Sequence, residues 1–384
     1  MAPVRVEAQA GHGPAAAGTP LEHHEIHWTY DGEGGPDDVL GLLRRVGPIQ
    51  SQTARSVFVG LAARRPGITR DAITAAYESF AIVRGSSLRG TVHTSGAAQH
   101  PVLEVVTRLG QRALWSRSLR LVGRTLEEVW TGIEEFAADH WRTPGELAEH
   151  LIAWLAEHDP GARPAFSGNQ GRYFAFGHGG LLRRPLGGDW AGQGAPGYRT
   201  ASALLGDRSA VLADAEAAVD ALVLRHVAAH GPSSRHDLAW WSGLGLTRVD
   251  AAIGRLGLAS EEGPDGRHYL DLPDAPAPAQ PSGVRLLPEF DALLCGYDPA
   301  GRERFVDAAH YDVLWKQANG QLLAPVLAGS RLAGHWRLTG TGRRRRLEVV
   351  GFSGLPPIGR AELADAVTAL ELGLGLQLAG VDRP

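Results

Sequence analysis

Two glutamines separated by one serine, Gln50-Ser51-Gln52, are the residues of this 384-residue chain whose types and spacing could do chemistry. A glutamine carbonyl accepts a hydrogen bond from a water molecule, and the side-chain NH₂ donates one to water or to a phosphate. Two neighbouring amides can therefore orient an attacking water without a charged base. The pattern lies between two predicted amphipathic helices, and we expect Ser51 to cap the second of them. Because Gln-x-Gln is common by chance, its meaning depends on the rest of the chain.

Three basic residues near the glutamines could hold an anionic ligand. Arg55 follows Gln52 by three residues, which places it near the start of the same predicted helix. Arg89 and His93 alternate with Thr91 in a predicted strand and would share one face of it. For Arg55, a surface role is an equal alternative to phosphate binding. For Arg89 and His93, the equal alternative is a strand packed on the preceding helices, with Arg89 in an ion pair.

Four consecutive arginines, Arg343-Arg344-Arg345-Arg346, follow the glycine-containing segment at 339–342. Two glycines in that segment predict a tight turn between two strands. Four cations at the tip of a hairpin suit contact with nucleic-acid phosphates or insertion into a minor groove. The alternative is a solvated run of charge, and we favour the nucleic-acid contact.

Composition favours a globular protein of several cores. The hydrophobic fraction is 43%, and no apolar run approaches the roughly 20 residues of a membrane-spanning helix. Residues 1–20 are rich in Ala, Gly and Pro without the apolar core of a signal peptide, so we expect a disordered leader and a cytoplasmic protein. A net charge of −4 argues against a uniformly basic surface, yet clustered arginines could still bind nucleic acid.

The remaining reactive side chains restrict the chemistry. Cys295, the single cysteine, excludes an internal disulfide and a cysteine-rich zinc site, and its apolar surroundings predict that it is buried. Lys316 is the single lysine, so a Schiff base would need it or the N-terminal amine. His23, His24 and His27 lack a cysteine or acidic partner at ligand spacing. We therefore predict neither a bound metal nor a cofactor.

Capping boxes predict where several helices begin. Thr125 and Thr143 are each followed three residues later by a glutamate, and Pro144 occupies the first helical position that proline favours. Thr247 and Asp250 have the same spacing. Apolar residues recur at helical spacing after each of these threonines.

A weak internal repeat organises the chain before the proline-rich stretch at 273–281. Residues 47–73 and 231–253 both begin with Gly-Pro and contain a helix, a turn and a second helix capped by a threonine. β-like stretches follow, at 80–94 and 268–272. Two helices followed by a hairpin are typical of a winged helix.

A middle copy of the repeat is predicted from a helix over 143–155 and strands at 173–176 and 181–184. The glycine-rich residues 177–180 would form the turn, or wing, between these strands. After the proline-rich stretch, alternating and apolar runs predict a final helix over 360–372 and five strands, at 284–287, 293–297, 322–327, 332–338 and 347–352.

The fold class predicted from these patterns is α+β, with three tandem winged-helix units and a β-rich C-terminal module. The predicted divisions are a leader (1–20), a first winged helix that carries the glutamines (21–140), a second (141–200), a third (201–272) and the C-terminal module (283–384). Repetition of the winged helix within one chain lessens the need for a dimer, so we expect a monomer.

The glutamine pair and five other segments together resemble the AlkZ-type winged-helix DNA glycosylases. These segments are residues 89–93, 112–115, 231–244, 287–291 and 333–337. The related YcaQ branch has aspartate at the second glutamine, so Gln52 places this chain nearer the AlkZ branch. Two features depart from the family pattern. Ser51 stands where an aliphatic residue is usual, and residues 21–35 do not look like the family's opening helix.

The resemblance implies a monofunctional DNA glycosylase in which Gln50 and Gln52 orient the water that attacks the sugar. It implies double-stranded DNA with bulky, or cross-linked, N7- or N3-alkylated purines as the substrate and an abasic site as the product. Some relatives protect producers of DNA-alkylating antibiotics of the azinomycin and hedamycin types. Two alternatives remain, a winged-helix transcriptional regulator without catalysis and a protein-interaction scaffold.

Overall fold

The structure, a computed structural model, describes residues 38–165, 169–263, 265–275, 282–316 and 321–383. The predicted leader and the three histidines at 23, 24 and 27 lie outside these ranges. Within them helices and sheets are both extensive, which confirms the α+β class. No helix in the described ranges is long and apolar enough to cross a membrane.

The first unit contains three helices, a short strand and a hairpin: α1 (Val39–Val46), β1 (Ile49–Gln50), α2 (Ser56–Arg64), α3 (Arg70–Glu78), β2 (Ile82–Ser86) and β3 (Val92–Gly96). β3 lies between β1 and β2 and is antiparallel to both, with Gln50 opposite His93. Thr69 caps α3 by accepting a hydrogen bond from the Ala72 N–H. The predicted pair of helices followed by a β-hairpin is confirmed in this unit.

The second unit follows α4 (His100–Leu119) and repeats this order: α5 (Leu126–Phe136), α6 (Pro144–His158), α7 (Asn169–Phe176), β4 (Leu181–Pro185) and β5 (Pro196–Thr200). Arg142, between α5 and α6, forms a single bridge to Tyr198 of β5, at the point in the order where the first unit has β1. Capping boxes at Thr125 and Thr143 begin α5 and α6, as the sequence predicts.

The strand predicted at 173–176 is wrong, because these residues form the end of α7. Phe174 and Phe176 are spaced like residues on one face of a strand, but in the helix each packs against a different aromatic ring. Phe174 meets Trp115 edge-on at 5.1 Å between ring centroids, and Phe176 stacks on Tyr198 at 4.6 Å. The hairpin is formed by β4 and β5, so the glycine-rich residues 177–180 join α7 to β4 and are not a wing turn.

One five-stranded sheet joins the first two units, in the order β1-β3-β2-β4-β5. The junction is the pairing of Gly85 in β2 with Leu182 in β4. A Cβ atom at Gly85 would lie 2.9 Å from the Leu181 carbonyl oxygen, so only glycine allows this approach. The hydrophobic cluster of the second unit already includes Trp115 of α4, and it continues across the predicted division at 140/141.

The third unit begins after the short helices α8 (Ala201–Leu205) and α9 (Ser209–Ala213). It consists of α10 (Ala215–His230), β6 (Ser233–Ser234), α11 (Arg235–Ser242), α12 (Leu246–Leu256), β7 (Ala259–Glu262) and β8 (His268–Asp271). Its sheet order, β6-β8-β7, is that of β1-β3-β2.

The predicted cap at Thr247 is wrong. α12 begins at Leu246, two residues before the start that a cap at Thr247 predicts, and the Gly245 carbonyl accepts the first hydrogen bonds of the helix, from Arg248 and Val249. Asp250, the expected partner in the capping box, instead forms an exposed ion pair with a residue of α11.

The C-terminal module contains β9 (Val284–Leu286), α13 (Ala292–Cys295), α14 (Ala308–Leu314), β10 (Trp315–Lys316), β11 (Gln321–Leu322), β12 (Ala324–Ala328), β13 (Arg331–Thr339), β14 (Arg346–Gly351), α15 (Arg360–Leu374) and β15 (Val381–Asp382). Its main sheet has the order β15-β14-β13-β12-β9. The strand predicted at 293–297 is wrong, because Asp291 accepts a hydrogen bond from the Leu293 N–H and starts α13 there. The predicted final helix is confirmed and extends two residues further.

The first unit and the C-terminal module share one hydrophobic core. It combines α1 to α3 with the main C-terminal sheet and α15. A Cβ atom at Gly373 of α15 would lie 2.6 Å from the Ala62 Cβ, so these two helices are in close contact. The helices on either side of the two glutamines are therefore packed against the C-terminal module.

Candidate active site

The glutamines lie at the junction between the first strand and the second helix of the first unit. Ile49 and Gln50 pair with Thr94 and His93 of β3, and the Ser51 N–H extends the pairing by donating to the Val92 carbonyl at 2.7 Å. The chain then forms a turn over 51–55 before α2 begins. No side chain caps α2. The turn must therefore be held by contacts from elsewhere.

Ser51 supplies one of these contacts, and the prediction that it caps α2 is wrong. Its side chain is buried, at 2% exposure, and its hydroxyl donates to the Ile49 carbonyl at 2.9 Å. The same hydroxyl lies 2.7 Å from the Thr94 hydroxyl, which in turn lies 2.6 Å from the Tyr77 hydroxyl. A polar residue is satisfied at this position because β3 and α3 supply hydroxyl partners.

Arg84 supplies a second contact to the turn over 51–55. Its guanidinium is buried and donates to the Ala54 carbonyl at 3.1 Å, to the Trp190 carbonyl at 3.0 Å and to the Tyr77 hydroxyl at 3.1 Å. Tyr77 and Trp190 stack at 4.2 Å between ring centroids, and the guanidinium lies 5.0 Å from the Tyr77 ring centroid. This arrangement ties the backbone between Gln52 and α2 to the interior of the protein.

Gln50 is nearly buried, at 8% exposure, and a cation holds its side chain. The Arg89 guanidinium donates to Gln50 Oε1 at 2.9 Å and also to the Trp241 carbonyl at the end of α11. A guanidinium can only donate, so Gln50 must turn its oxygen toward Arg89. The NH₂ group of Gln50 is then available as a donor to other partners.

Gln52 has the opposite environment. Its side chain is exposed, and its Oε1 accepts a long hydrogen bond of 3.4 Å from the Val92 N–H. A carbonyl oxygen has two lone pairs, so this oxygen can still accept a hydrogen bond from a water molecule. The two glutamines thus combine a fixed, nearly buried amide with an exposed one.

The structure places Arg89 in contact with Gln50 and His93 opposite Gln50 in β3, with Arg89 half-buried and His93 buried. Arg89 lies in the turn Leu88–Gly90 at φ 56°, so the prediction that it shares a strand face with His93 is wrong. Burial lowers the pKa of the Arg89 guanidinium. His93 is 3% exposed, and burial, with the charge of Arg89, lowers its pKa to about 3. The imidazole is therefore neutral near pH 7.

Arg55 and the C-terminal module form the outer edge of the site. The Arg55 guanidinium forms an ion pair with Glu289 and lies 5.8 Å from the Trp336 ring centroid. Two residues further along, Asp291 makes a buried two-bond ion pair with Arg64 of α2, with both distances 2.9 Å. Segment 289–291 thus fixes α2 at two points.

The first three arginines of the run lie in the connection between β13 and β14, where the sequence places a hairpin turn, and Arg346 begins β14. Arg343 and Arg344 are exposed at its tip, and Arg345 is half-buried. Arg346 makes a two-bond ion pair with Asp382, at 2.8 and 2.6 Å, which raises its pKa. Three of the four cations are therefore oriented independently of that pair.

A cleft of about 380 Å³ brings this hairpin together with the glutamine turn. Thr53 and Arg55 line it from the turn, Gly340 and Arg345 from the hairpin, and Arg70 from α3. Arg70 also forms an ion pair of 2.8 Å with an aspartate of the loop after β4. That aspartate, Asp189, also lines the cleft, which begins one residue beyond Gln52.

Two other predictions concern residues away from the cleft. Cys295 is buried as expected, and burial raises the pKa of its thiol to about 11. Among the described residues, no group of three or more His, Cys, Asp or Glu side chains could hold a metal ion.

Sequence reasoning missed the residues that hold the glutamines: Tyr77, Arg84, Thr94, Trp241 and Glu289. Glu289 and Trp241 had a signal, because they lie in segments 287–291 and 231–244, which carry the family resemblance. The others lie far from the glutamines in the chain and are ordinary core or surface types by composition.

The fold and the site together define a helix-and-sheet protein with an amide pair beside an arginine-lined cleft. A family model described as DNA glycosylase AlkZ-like matches residues 43–372. The chain belongs to this family of DNA glycosylases, which confirms the resemblance that the sequence motifs indicate.

Among solved structures, the DNA glycosylase AlkZ of Streptomyces sahachiroi is similar, with a TM-score of 0.78. The two chains are 16% identical, and the match covers 96% of this chain and 100% of that chain. At this identity the similarity shows a shared fold. No curated protein sequence matches the chain.

Proposed function

We propose that this protein is a monofunctional DNA glycosylase that hydrolyses the N-glycosidic bond of bulky or cross-linked N7- or N3-alkylated purines. The observation that carries the proposal is the pair of differently held amides, Gln50 and Gln52, at the start of a turn that borders an arginine-lined cleft in a member of a glycosylase family. The product would be an abasic site. We infer that the reaction takes place in the cytoplasm, where the DNA substrate would be met.

Neutral amides suit a substrate whose leaving group is already charged. An alkyl group on purine N7 or N3 makes the base cationic and weakens its bond to C1′. The enzyme then needs little acid catalysis at the leaving base. It needs a positioned water and an environment that tolerates an oxocarbenium-like sugar. Normal and neutral damaged bases should react poorly, because a neutral amide cannot protonate the leaving base.

The two glutamines would divide this work. Gln52 is exposed, and its oxygen could accept a hydrogen bond from the attacking water. Gln50 turns its oxygen to Arg89, so its NH₂ group could donate to the same water or to a phosphate of the lesion strand. Both groups would act by orientation, without changing their own protonation.

Three arginines of the hairpin would contact the DNA backbone or the minor groove: Arg343, Arg344 and Arg345. Arg55 would border the lesion, while Arg346 would support the hairpin through its ion pair. Each of the three units repeats the order of helix, short pairing, two helices and hairpin, which supports the winged-helix assignment and a monomeric DNA-binding protein.

Self-resistance to a DNA-alkylating natural product is the biological role that we propose. The cleft that begins at Thr53 is open and, at about 380 Å³, large enough for a substituent well beyond a methyl group. Lys316 is the single lysine of the chain, so lyase chemistry through a Schiff base has little support.

The test is release of base from duplex DNA that carries N7-methylguanine or a bulky N7-guanine adduct. Wild type, Gln50→Ala and Gln52→Ala would be compared, with Gln377→Ala as the control because Gln377 is exposed and does not line the cleft. We expect release by wild type and the control, strongest for the bulky adduct, and its loss in both site variants. Tight DNA binding without release from either substrate would overturn the proposal.

A further inference from the structure

We infer that Arg89 is a positioning residue, which fixes the amide of Gln50 and connects it to the third unit. The inference rests on the proposed function, because it concerns the same site. It differs from a role in phosphate binding, since the contacts of Arg89 lie within the protein. The inference is based on the Arg89 guanidinium, which donates hydrogen bonds to both Gln50 Oε1 and the Trp241 carbonyl.

The backbone aims Arg89 at this position. Residue 89 has φ 56° and Gly90 has φ 74°, so the turn makes two left-handed steps in succession. Left-handed backbone is unfavourable for arginine and persists only where the surroundings hold it. Gly90 cannot carry a side chain, because a Cβ atom there would lie 2.2 Å from the Tyr173 hydroxyl. The turn is thus wedged against α7 of the second unit.

The third unit holds the other side of Arg89. Trp241 is the penultimate residue of α11, and its carbonyl is one of the groups that a helix end leaves without a helical partner. Gly243 follows at φ 75°, and a Cβ atom on it would lie 3.3 Å from Arg89 Cγ. Leu88 packs in the same buried cluster as Trp241. A side chain in the first unit is therefore held by backbone of the third.

The charge of Arg89 acts on Gln50 in a defined direction. No carboxylate lies within ion-pair distance of Arg89 in the described part of the chain, so its charge is directed to the two carbonyl oxygens. A cation at Oε1 polarises the amide and strengthens its NH₂ group as a donor. It also prevents the amide from rotating by half a turn, because Nε2 cannot accept a hydrogen bond from a guanidinium.

A double-mutant cycle separates this role from phosphate binding. Single-turnover base release and DNA affinity would be measured for wild type, Arg89→Ala, Gln50→Ala and the double variant. Arg89→Ala loses a hydrogen bond from a charged group, so we expect its single-turnover rate to be about 10- to 100-fold below that of wild type. We expect affinity within about twofold of wild type and no further loss in the Gln50→Ala background, since Arg89 acts through that amide.

Conservative variants keep the test informative if Arg89→Ala does not fold. Arg89→Lys retains a cationic donor and should recover part of the rate, while Arg89→Gln retains a neutral donor and should recover less. Arg117→Ala serves as the control for removal of an arginine, because Arg117 is exposed on α4 and bonds only its own helix. A weakened affinity with an unchanged rate, or full additivity in the double variant, would show that Arg89 acts on DNA directly and overturn the inference.

A spectroscopic measurement makes the inference independent of catalysis. In protein labelled with ¹⁵N-glutamine, the side-chain NH₂ signals of Gln50 are identified by their loss in Gln50→Ala. They should shift in Arg89→Ala and stay in place in Arg117→Ala. If wild type released no base, the proposed function would fail, yet this shift would still support the positioning of Gln50. Unchanged signals in Arg89→Ala would refute the positioning.

Discussion

The first and third units have the same order of elements but differ where the short strand meets the next helix. In the third unit, β6 leads directly into α11, and Ser234 and Asp237 close a capping box over the helix start. In the first unit, residues 51–55 intervene, and α2 begins without a side-chain cap. A missing cap costs about 1 kcal/mol of stability. The same junction therefore stabilises one unit and carries the two glutamines in the other.

The first unit replaces the missing cap with contacts from a distance. Ser51 bonds to β3, Arg84 donates to the backbone of the turn, and Arg55 pairs with Glu289 of the C-terminal module. Local rules that are broken at a functional site and offset elsewhere are an expected pattern. The glutamine turn is therefore held from three sides by tertiary contacts, whereas the helix start in the third unit is capped by its own residues.

Substitutions of the two glutamines should have a larger effect on base release than any substitution at the matching junction of the third unit. Gln50→Ala and Gln52→Ala should each lower single-turnover base release by about 100- to 1,000-fold, the range for losing a preorganised polar group. Ser234, the last residue of β6 as Gln50 is of β1, should tolerate Ser234→Ala with an unchanged rate. A similar fall in rate for Ser234→Ala would remove the distinction between the two junctions.

The next effect concerns the anchoring of the first unit. Arg64 and Asp291 form an ion pair with side-chain exposures of 3% and 2%. Arg64→Ala should lower the free energy of unfolding by about 3–5 kcal/mol, because it leaves a buried carboxylate unpaired. Chemical denaturation measures the change.

The third unit provides the matched control for that variant. Arg235 pairs with Asp250 on the surface, where both side chains are more than 40% exposed. Arg235→Ala should therefore change the free energy of unfolding by less than about 1 kcal/mol. Equal effects of Arg64→Ala and Arg235→Ala would contradict the anchoring role of the buried pair.

Both units also contain a histidine that is buried in its neutral form. Burial lowers the pKa of His93 in the first unit and of His226 in the third to about 3. The unfolded chain binds a proton on each near pH 6.5, so this stability is present above pH 6.5 and is lost as the pH falls toward 3. Between pH 7 and pH 5 each histidine should lower the free energy of unfolding by about 2 kcal/mol.

His226→Phe isolates the contribution of the third unit. Phenylalanine fills a similar space among the Trp241 and Tyr297 rings and does not titrate. The variant should lose less stability than wild type between pH 7 and pH 5, measured by denaturation at each pH. An unchanged pH dependence would mean that His226 is not protonated more easily in the unfolded chain.

The sequence predicts the elements whose signals are local. Capping boxes at Thr125 and Thr143 involve side chains three residues apart, so both helix starts are readable from the chain alone. Short apolar runs are ambiguous, because the same residues suit a strand or a helix turn, and 173–176 and 293–297 were therefore misassigned. The cap at Thr247 failed because Gly245 had already begun the helix.

The candidate site was only partly predictable for the same reason. Gln50, Gln52 and the hairpin arginines stand out as residue types, and a turn between β13 and β14 follows from the glycines before it. The orientation of Gln50 depends on Arg89, which lies 39 residues away in the chain. Arg89 is in turn held by Trp241, which lies 152 residues from it. No local pattern encodes such contacts, and left-handed backbone at an arginine is not expected from its type.

Substitution of one serine at each junction, Ser51 and Ser234, should have smaller effects on the free energy of unfolding. Ser234→Ala removes a side-chain cap and should lower the free energy of unfolding by about 1 kcal/mol. Ser51→Ala removes a buried hydroxyl from Thr94 and should lower it by about 1–3 kcal/mol, because the partner hydroxyl loses a hydrogen bond. Chemical denaturation should therefore show a loss of stability in Ser51→Ala that is at least as large as that in Ser234→Ala.

Their rates of base release should differ. Ser51 lies between the glutamines and holds the turn to β3, so Ser51→Ala should lower the single-turnover rate, whereas Ser234→Ala should not. Measuring both variants well below their melting temperatures separates rate from unfolding. If Ser51→Ala kept the full rate at the same loss of stability, the hydroxyl would serve folding alone. The difference between the two junctions would then rest on the glutamines and Arg89.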